Sequence, residues 1–505
     1  MDENLLVYNG MDCVATLEIF EEFKSEVMND VCFKQTYDFT MRLVEPLLFM
    51  MNHGIKVDAA ALRKASGETQ EKINEREAKL NELCGRVLNP LSSKDCAKYF
   101  YLEKGVPPYT KMNNKGDSVV TCDDNALTRL ARGTKSRKGL YEAKLIQEIR
   151  GLRKLKSTYL DIRIDPDGRF RFFCNPRGTR MGRISTQKTF EGTGTNAQNL
   201  TENFKQFLLP DDGHLMISFD KRQAEWVVVA YQSGDANMIR VVEQGLDAHA
   251  ATASMMYGMP IEVILREDEL LGHESDPVVI AEARREIEEL RDKKLPRTMS
   301  MRQAGKKANH GLNYDEGAYT FALFNEIPEW EADDIIKKYH AIYPGIRNNH
   351  SAIQSLLRKD RCLVNCFGRK YQFLDDWGPI LFKSAYSFVP QSTVPDLLNR
   401  GIIDIYETDD KYLQFGELLA QVHDEALYQF PIDLGPQTLA YVIRTIAEDI
   451  FNPVMEYGGR QFQIPTDVKV STKNWRDMHK LNLSMPSDLL GQNSLEDQLA
   501  RVLRE

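Results

Sequence analysis

Acidic residues at the ends of apolar segments are the first candidates for chemistry. Asp220 directly follows residues 215–219, whose apolar run predicts a buried strand. Residues 423–425 (HDE) form the predicted turn of a hairpin between strands at 418–422 and 426–430. Buried carboxylates are costly unless they are paired or bind a metal, and Mg²⁺ prefers oxygen ligands. Two such ions about 4 Å apart suit phosphoryl transfer, although each acid alone is also a common turn or cap residue.

A second pattern repeats every four residues. Arg302, Lys306, His310 and Tyr314 would form one slanted stripe on a helix, about 18 Å long. The cations lie towards the helix N-terminus, which itself favours phosphate, and the rings lie at the other end, where a base could stack. The stripe therefore matches a nucleoside triphosphate in length and order. An exposed polar helix face is the alternative interpretation.

Charge is unevenly distributed along the chain. The net charge is −9, from 65 Lys and Arg against 74 Asp and Glu, which argues mildly against a nucleic-acid partner. Residues 132–156, however, contain nine basic and two acidic residues, a local charge of +7. Apolar spacing predicts a helix over residues 140–159 that could follow a phosphate backbone, or could simply be solvated.

The elements that must position these residues belong to a large protein. A chain of 505 residues suggests about three domains or one multi-lobed enzyme, and 42% hydrophobic residues can form a real core. We expect neither a membrane span nor a secretory signal, and hence a cytoplasmic protein.

Three further segments mark the organisation of the chain. Residues 15–100 are predicted to be mostly helical, with a break and N-cap at residues 89–93. Residues 261–296 hold eleven acids and six bases and are predicted to be a solvated helical insertion. Residues 484–487 separate a C-terminal helical tail, 489–505, that we expect to be peripheral.

Together these motifs resemble those of the family A DNA polymerases. The sequence FDKRQAE at 219–225 is similar to the first palm motif, residues 302–314 to the fingers helix, and QVHDE at 421–425 to the second palm motif. Further similarities cover nearly the whole chain and lie at residues 52–58, 154–159, 179–185, 196–200, 247–249 and 473–475.

The resemblance implies an α+β right-hand fold with an antiparallel palm sheet, helical fingers and a helical thumb. The predicted domains are a piece of an exonuclease-like domain (1–35), the thumb (36–165), the first palm part (166–240), the fingers with the acidic insertion (241–384), the second palm part (385–480) and the tail (481–505).

The resemblance also implies roles for individual residues. Asp220 and Asp424 would bind two Mg²⁺ ions, with Mn²⁺ able to substitute, and Glu425 would support them. Lys306 would also protonate the departing pyrophosphate, Tyr314 would guard the template-base position and Glu225 would crowd the sugar 2′ carbon. The implied nucleotide-binding residues are Arg302, Lys306, His310, Tyr314, His249, Gln223 and Glu225. The implied DNA-binding residues are Arg183, Gln198, Asn199, Gln391, His423, Lys154 and Lys156.

The sequence departs from the family pattern at several positions. His310 stands where Phe or Tyr is usual, and we hypothesise that its N–H reaches the triphosphate or sugar and alters dideoxynucleotide tolerance; a neutral space-filling ring is the alternative. Asp315 replaces a usual Gly. Lys383 and Ser387 stand where Arg and Asn are usual, so only Gln391 on that helix is assigned a template contact.

The N-terminus carries a separate resemblance. Tyr8 and Asp12, followed by ATL at 15–17, are similar to the last motif of a proofreading 3′–5′ exonuclease. The other acids of such a site normally lie well upstream, so we expect no complete exonuclease here. Residues 1–35 are then either a remnant helix packed on the polymerase or a segment that contacts and completes a separate exonuclease subunit.

The sequence thus predicts a template-directed DNA polymerase that extends a primer 3′-OH with dNTPs on primer-template DNA, without intrinsic proofreading. A phage-type enzyme in the host cytoplasm is the expected setting. The alternatives are a single-subunit RNA polymerase, against which Glu225 argues as a steric gate, and an inactive replication scaffold, which has no need for the intact Asp220 and Asp424.

Overall fold

The N-terminal part of the chain is mainly helical in the computed structural model, which describes residues 3–113, 117–134, 137–272, 276–296, 298–325, 327–483 and 494–504. The predicted N-cap is confirmed, because Ser92 Oγ accepts a hydrogen bond from the Asp95 N–H at 3.2 Å. The elements are α1 (Glu3–Asn29), α2 (Val31–His53), β1 (Ile55–Val57), α3 (Ala59–Cys84), α4 (Ser93–Ala97), β2 (Tyr109–Met112), β3 (Ser118–Thr121), α5 (Asp124–Arg132), β4 (Gly133–Thr134), β5 (Arg137–Lys138) and α6 (Tyr141–Leu155).

Helix α6 is shorter than predicted. It ends at Leu155 and continues as a wider π-helical turn, Lys156–Leu160. Its buried face, which includes Leu145 and Ile149, packs against α3 and α5. The apolar spacing in the sequence therefore identified the packing face correctly but not the change of helical pitch.

A stretch of short strands leads to the long strand that carries Asp220. The elements are β6 (Arg169–Phe170), β7 (Phe173–Asn175), β8 (Ser185–Gln187), α7 (Glu202–Lys205), β9 (Leu208–Leu209) and β10 (His214–Lys221). Strand β1 pairs with both β6 and β9, and this small sheet ties the N-terminal helices to the start of β10.

The middle of the chain is again helical. Its elements are α8 (Ala224–Ser233), α9 (Ala236–Glu243), α10 (Ala248–Tyr257), α11 (Ile261–Leu271), α12 (Pro277–Arg285), α13 (Met301–Leu312), α14 (Ala318–Asn325), α15 (Glu329–Ile342), α16 (Pro344–Asp360), β11 (Cys362–Val364), β12 (Lys370–Gln372) and α17 (Pro379–Tyr406). Helices α10 and α13 pack closely, and α17 is buried along most of its length. Helices α11 and α12 form most of the predicted acidic insertion.

The last part of the chain completes the central sheet. Its elements are β13 (Glu417–Val422), β14 (Glu425–Pro431), α18 (Gly435–Arg444), β15 (Met455–Tyr457), β16 (Arg460–Phe462), β17 (Thr466–Ser471), β18 (His479–Leu481) and α19 (Leu495–Val502). The sheet is antiparallel throughout, with the strand order β13-β14-β10-β17-β18. The predicted hairpin and the predicted strand before Asp220 are therefore neighbours in one sheet.

The C-terminal helix differs from the prediction. Leu495 and Leu499 are fully buried, and α19 packs against α18, so the tail is not peripheral where it is described. The predicted separator at 484–487 and the start of the tail at 489 lie outside the described residues. No helix in the described part of the chain has both the length and the apolarity needed to cross a bilayer.

Candidate active site

Strand β10 places Asp220 between two other acidic residues. In the strand register Asp220 lies opposite Glu425 on β14 and opposite Asp467 on β17. Burial, with added repulsion from Asp424 and Glu425, raises the pKa of Asp220 to about 7. The sequence predicted that the strand ends at residue 219, just before Asp220. In the structure β10 continues to Lys221, so Asp220 is part of the strand itself.

The turn of the β13–β14 hairpin brings Asp424 to the same end of the sheet. Val422 pairs with Glu425, so the turn consists of His423, at φ 55°, and Asp424. The Lys221 N–H, next to Asp220, donates to the Asp424 carbonyl at 3.1 Å. Burial is also the main cause that raises the pKa of the Asp424 carboxyl. Two acids 204 positions apart in the sequence therefore converge.

Gln198 fixes this turn. Its Oε1 accepts a hydrogen bond from the His423 N–H at 2.9 Å, and its Nε2 donates to the Gln421 carbonyl at 2.8 Å. The sequence predicted a DNA contact for Gln198. The structure instead uses both ends of the side chain to hold the backbone around Asp424.

Glu425 differs from the two aspartates because its carboxylate already has protein partners. Its Oε1 accepts from Ser218 Oγ at 2.6 Å and from Trp475 Nε1 at 2.9 Å, and its Oε2 lies 3.7 Å from Lys205 Nζ. Within the described residues, neither Asp220 nor Asp424 has an ion-pair partner. The supporting role implied for Glu425 stays a prediction.

The two aspartates face a cavity of about 990 Å³. Most of the predicted site residues line it, from the sheet end, from α8, α10 and α13, and from α17. They are Arg183, Asp220, Gln223, Glu225, His249, Arg302, Lys306, His310, Tyr314, Gln391, His423 and Asp424. Glu425, Gln198, Asn199, Lys154 and Lys156 do not line this cavity.

Helix α13 carries the predicted stripe as far as His310. It begins after Ser300, whose Oγ accepts from the Gln303 N–H at 3.1 Å. It ends at Leu312, so Tyr314 lies in the following turn and not on the helix as predicted, although it still lines the cavity. The Arg302 guanidinium, expected to meet a triphosphate, donates to Asp247 at 2.8 Å.

His249 is held as a neutral ring. Burial lowers its pKa to about 3, and its Nδ1 lies 3.1 Å from the Asn309 amide nitrogen. Asn309 Oδ1 accepts from Thr252 Oγ1 at 2.9 Å, which orients the amide so that its nitrogen faces the ring. Nδ1 is then the acceptor and Nε2 carries the proton. No sequence signal singled out Asn309, because its position on α13 marks it only as a buried residue.

Glu225 joins two other predicted residues at the cavity wall. Its carboxylate accepts from Arg183 and, at 2.8 Å, from the Tyr314 hydroxyl. Gln223 is tied to the start of α10 in the same way, because its Nε2 donates to the Asp247 carboxylate at 3.1 Å and its Oε1 accepts from the Ala248 N–H at 2.9 Å. These bonds fix the position of Glu225 relative to both the sheet and the helices.

Two departures from the family pattern gain a physical description. The His310 ring lies 6.2 Å from the His249 ring, and burial together with Lys306 lowers its pKa, so the ring is neutral near pH 7. Asp315 has a φ of 63°, a left-handed conformation that Gly adopts freely and that Asp tolerates. An ion pair with Arg347 accompanies it.

A second cavity, of about 580 Å³, adjoins the first at His423. Lys154, Gln198 and Asn199 line it. Lys156 does not, because its Nζ donates to Asp161 at 2.6 Å.

The basic segment is partly neutralised within the protein. Arg150 lies 3.0 Å from Asp124, and Arg153 pairs with Glu77. The structure thus brings Lys154 towards the site, whereas three neighbouring cations, Lys156 among them, hold other parts of the helical region together.

The fold and the sequence match known DNA polymerases. The structure resembles the polymerase domain of Pol1 from M. smegmatis in complex with DNA primer-template and dNTP, with a TM-score of 0.68 and 21% identity over 86% of this chain and 70% of that one. The predicted right-hand polymerase fold is therefore confirmed. The model of DNA polymerase family A matches residues 59–268 and 285–477, and the chain belongs to this family.

Curated relatives show the same relationship. The chain is 26% identical over 429 residues to the thermostable DNA polymerase I of Thermus aquaticus, covering 80% of this chain and 45% of that protein. It is 24% identical over 502 residues to DNA polymerase I of Chloroflexus aurantiacus, covering 95% of this chain and 47% of that protein. The chain thus spans about half the length of the curated relatives it matches.

Proposed function

We propose that this protein is a template-directed DNA polymerase that extends a primer 3′-OH with dNTPs. One observation carries the proposal: Asp220 and Asp424 are half-buried carboxylates with raised pKa values, and they line the same cavity as Arg302 and Lys306. In phosphoryl transfer, acids without protein partners can bind the metal ions that activate the attacking hydroxyl, and basic side chains can bind the triphosphate.

Asp220 and Asp424 fit a pair of Mg²⁺ ions, with Mn²⁺ as a substitute, because both offer hard oxygen donors and neither has a cationic protein partner among the described residues. When bound, the two cations neutralise phosphate charge and assist attack by the primer 3′ oxygen. Arg302, Lys306 and the Nε2–H of His249 hold the triphosphate, and Lys306 donates a proton to the departing pyrophosphate.

Primer-template DNA is the proposed partner. The M. smegmatis relative is bound to primer-template and dNTP, which supports the same ligands here. The second cavity, with Lys154, Asn199 and His423, leads towards Asp424 and offers polar groups to a backbone. Arg183 and Gln391 are proposed to contact the duplex from the main cavity, and Tyr314 to guard the template base.

Deoxynucleotides are the proposed substrates, in preference to ribonucleotides. Arg183 and Tyr314 hold Glu225 against the cavity wall, which suits a side chain that crowds the sugar 2′ carbon. An RNA polymerase would need room at this position. Ribonucleotide incorporation that exceeds deoxynucleotide incorporation would favour that alternative.

Primer extension with Mg²⁺ tests the main proposal. Asp424→Asn should abolish extension while primer-template binding persists. Asp433→Asn, an exposed acid beyond the far end of β14, is the matched control and should extend like the wild type. Wild-type protein that binds primer-template but adds no nucleotide would favour the scaffold alternative.

We also propose that residues 1–35 dock a separate exonuclease-type protein. The side chains of α1 are exposed from Asn4 to Glu26, so this helix does not pack on the polymerase as the remnant interpretation requires. Large apolar side chains are exposed all round it, among them Met11 at 68% and Leu17 at 60%. Such a helix is suited to burial against a partner.

Co-elution with a candidate exonuclease chain tests this docking. Met11→Ser with Leu17→Ser should release the partner, and Asp12→Ala should lower nuclease activity without changing primer extension. Failure of the wild-type chain to co-elute, with no change in nuclease activity after Asp12→Ala, would leave residues 1–35 as a mere remnant. Co-elution that survives the double serine variant would place the docking surface outside α1.

His310 is proposed to tune sugar selectivity through an N–H donated to the triphosphate or sugar. The neutral ring in the cavity supports this role, because one of its nitrogens still carries a proton. His310→Phe should change the ratio of dideoxynucleotide to deoxynucleotide incorporation. An unchanged ratio would leave the ring as a space-filler.

A phage-type enzyme acting in the host cytoplasm is the proposed setting. The departures from the family pattern at His310 and Asp315 support a divergent member of the family. A coding gene found in a bacterial chromosome without neighbouring phage genes would contradict this proposal.

A further inference from the structure

A stretch from the end of α11 to near the end of α12 is not covered by the family match. The family match stops at residue 268 and resumes at residue 285, so residues 269–284, with nearly all of α12, lie outside it. We call residues 269–284, which the family model does not match, the added segment.

Arg284, near the end of α12, is the most deeply placed charged residue of the added segment. Its side chain is only 11% exposed. The guanidinium pairs through Nε with Glu267, and it donates to the Pro296 carbonyl through Nη1 and to the Met299 carbonyl at 2.9 Å through Nη2. One side chain thus secures both α11 and the backbone that enters α13.

Glu267 connects Arg284 to the first residue of the fingers helix. This carboxylate is 1% exposed, with one oxygen bound by Arg284 and the other accepting from the Met301 N–H at 2.7 Å. An acid at the start of a helix satisfies a free N–H and interacts favourably with the helix dipole. Without Arg284, this carboxylate would be a buried charge with no cation beside it.

The neighbouring acid extends the connection to the site. Asp268 accepts from the hydroxyl of Ser300, the N-cap of α13, and its other oxygen lies 3.5 Å from the Arg302 guanidinium. Arg302 is the second residue of α13 and lies directly after the backbone that Glu267 holds. Movement of this helix end would therefore move Arg302.

We infer that Arg284, acting through Glu267, is a positioning residue that holds the N-terminal end of α13 so that Arg302 meets the incoming triphosphate. The inference rests on the proposed polymerase function. A displacement of about 1 Å in a positioned group can cost up to a hundredfold in rate or affinity. The added segment is thus a brace for the triphosphate end of the site, and not only a solvated insertion.

Steady-state extension by Arg284→Lys and Arg284→Ala, with Arg285→Ala as the control, tests the inference. Arg285 is the exposed neighbour on the same helix. Both Arg284 variants lose the planar guanidinium, whose several N–H groups bond different acceptors at once. We therefore expect the KM for dNTP to rise about tenfold, with kcat changed less and the Kd for primer-template unchanged. Inhibition by inorganic tripolyphosphate should weaken by a similar factor, because the effect passes through the phosphate-binding end.

Glu267→Gln provides a second route if Arg284→Ala does not fold, since it keeps the side-chain volume and removes the charge. It should raise the KM for dNTP in the same direction. Folded Arg284→Lys and Glu267→Gln variants with wild-type KM and wild-type tripolyphosphate inhibition would overturn the inference. A wild-type protein with no primer extension would instead refute the proposed function, so the two failures are distinguishable.

Discussion

The two ends of the central sheet both carry carboxylates, and the protein treats them in opposite ways. At one end Asp220 has a pKa raised to about 7 and no cationic partner among the described residues. Towards the other end, just before β10 begins, Asp211 accepts from Arg169 at 2.7 Å and from Gln429 at 2.8 Å. His53 Nε2 also lies 3.2 Å from Asp211, and these partners lower its pKa.

This difference in pKa and in partners distinguishes an acid that stabilises the fold, Asp211, from an acid that is available to bind a ligand, Asp220. Burial alone penalises the charged form of both residues, and hydrogen bonds from cationic and amide groups reverse that penalty only at Asp211. A half-buried acid with a raised pKa and no cationic partner lowers stability at neutral pH, so the presence of two such acids, Asp220 and Asp424, points to a cation that the folded protein binds.

The largest expected effect comes from removing the unpaired charge. Asp220→Asn should reduce primer extension by about 10²- to 10³-fold or more, because a ligand for the cations is lost. The same change should raise stability by about 1–3 kcal/mol at pH 8, because the raised pKa means that the wild-type carboxylate destabilises the fold above pH 7. Extension assays and urea unfolding on one preparation measure both effects.

A loss of both activity and stability in Asp220→Asn would break the comparison, since it would make Asp220 a structural acid like Asp211. Asp433→Asn serves again as the control and should leave extension and unfolding unchanged.

The paired acid should show the reverse behaviour. Asp211→Asn should lower the free energy of unfolding by about 2 kcal/mol at pH 7, because Arg169 loses its charged acceptor. Primer extension at low temperature should be unchanged. Because the folded-state pKa of Asp211 is lowered, its contribution is present above the unfolded pKa near 4 and is lost as the pH falls through the folded-state pKa, so the difference between the wild type and the variant should be smaller at pH 3 than at pH 7. Urea unfolding at the two pH values checks this.

Cation affinity provides a smaller and more specific test. Since Asp220 holds a proton below about pH 7, a metal must displace that proton, and Mn²⁺ affinity should fall by up to about tenfold per pH unit between pH 7 and pH 6. Calorimetry in two buffers of different ionisation enthalpy should detect the released proton. Affinity that is constant over this range, with no proton release, would show that Asp220 is already ionised.

The sequence predicted the strands of the site better than their contacts. The apolar run before Asp220 and the hairpin around Asp424 have strong local patterns, so both strands and the family motifs could be recognised. The end of α13 before Tyr314 could not be predicted from the sequence. A spacing of four residues between polar side chains does not show whether the last of them lies on the helix or in the turn that follows it. The hydrogen bond from the His423 N–H to Gln198 could not be predicted either, because it joins residues 225 positions apart in the sequence.

Charge counting was the least reliable guide. The local +7 of residues 132–156 was compatible with a DNA-binding face or with a solvated helix, but Arg150, Arg153 and Lys156 pair with acids from elsewhere in the helical region or just after it. The acidic insertion was predicted to be solvated, yet its Glu267 side chain is 1% exposed and its Arg284 side chain 11% exposed, and both bond the backbone at the start of α13. Pairing between distant charges depends on tertiary structure, which composition does not contain.

The smallest effect extends the comparison from acids to a base. His340 on α15 lies with both ring nitrogens buried and without a hydrogen-bond partner in the described structure, and burial lowers its pKa to about 4. Because the unfolded chain binds this proton near pH 6.5, wild-type stability should fall as the pH drops from 6.5 towards 4. His340→Phe keeps a ring of similar size but cannot be charged, so it should lose about 1 kcal/mol less than the wild type between pH 7 and pH 5, as measured by urea unfolding. If both proteins lose the same stability between pH 7 and pH 5, water reaches the His340 ring. Burial without a hydrogen-bond partner would then not be the common cause of the shifted pKa values at Asp220 and His340.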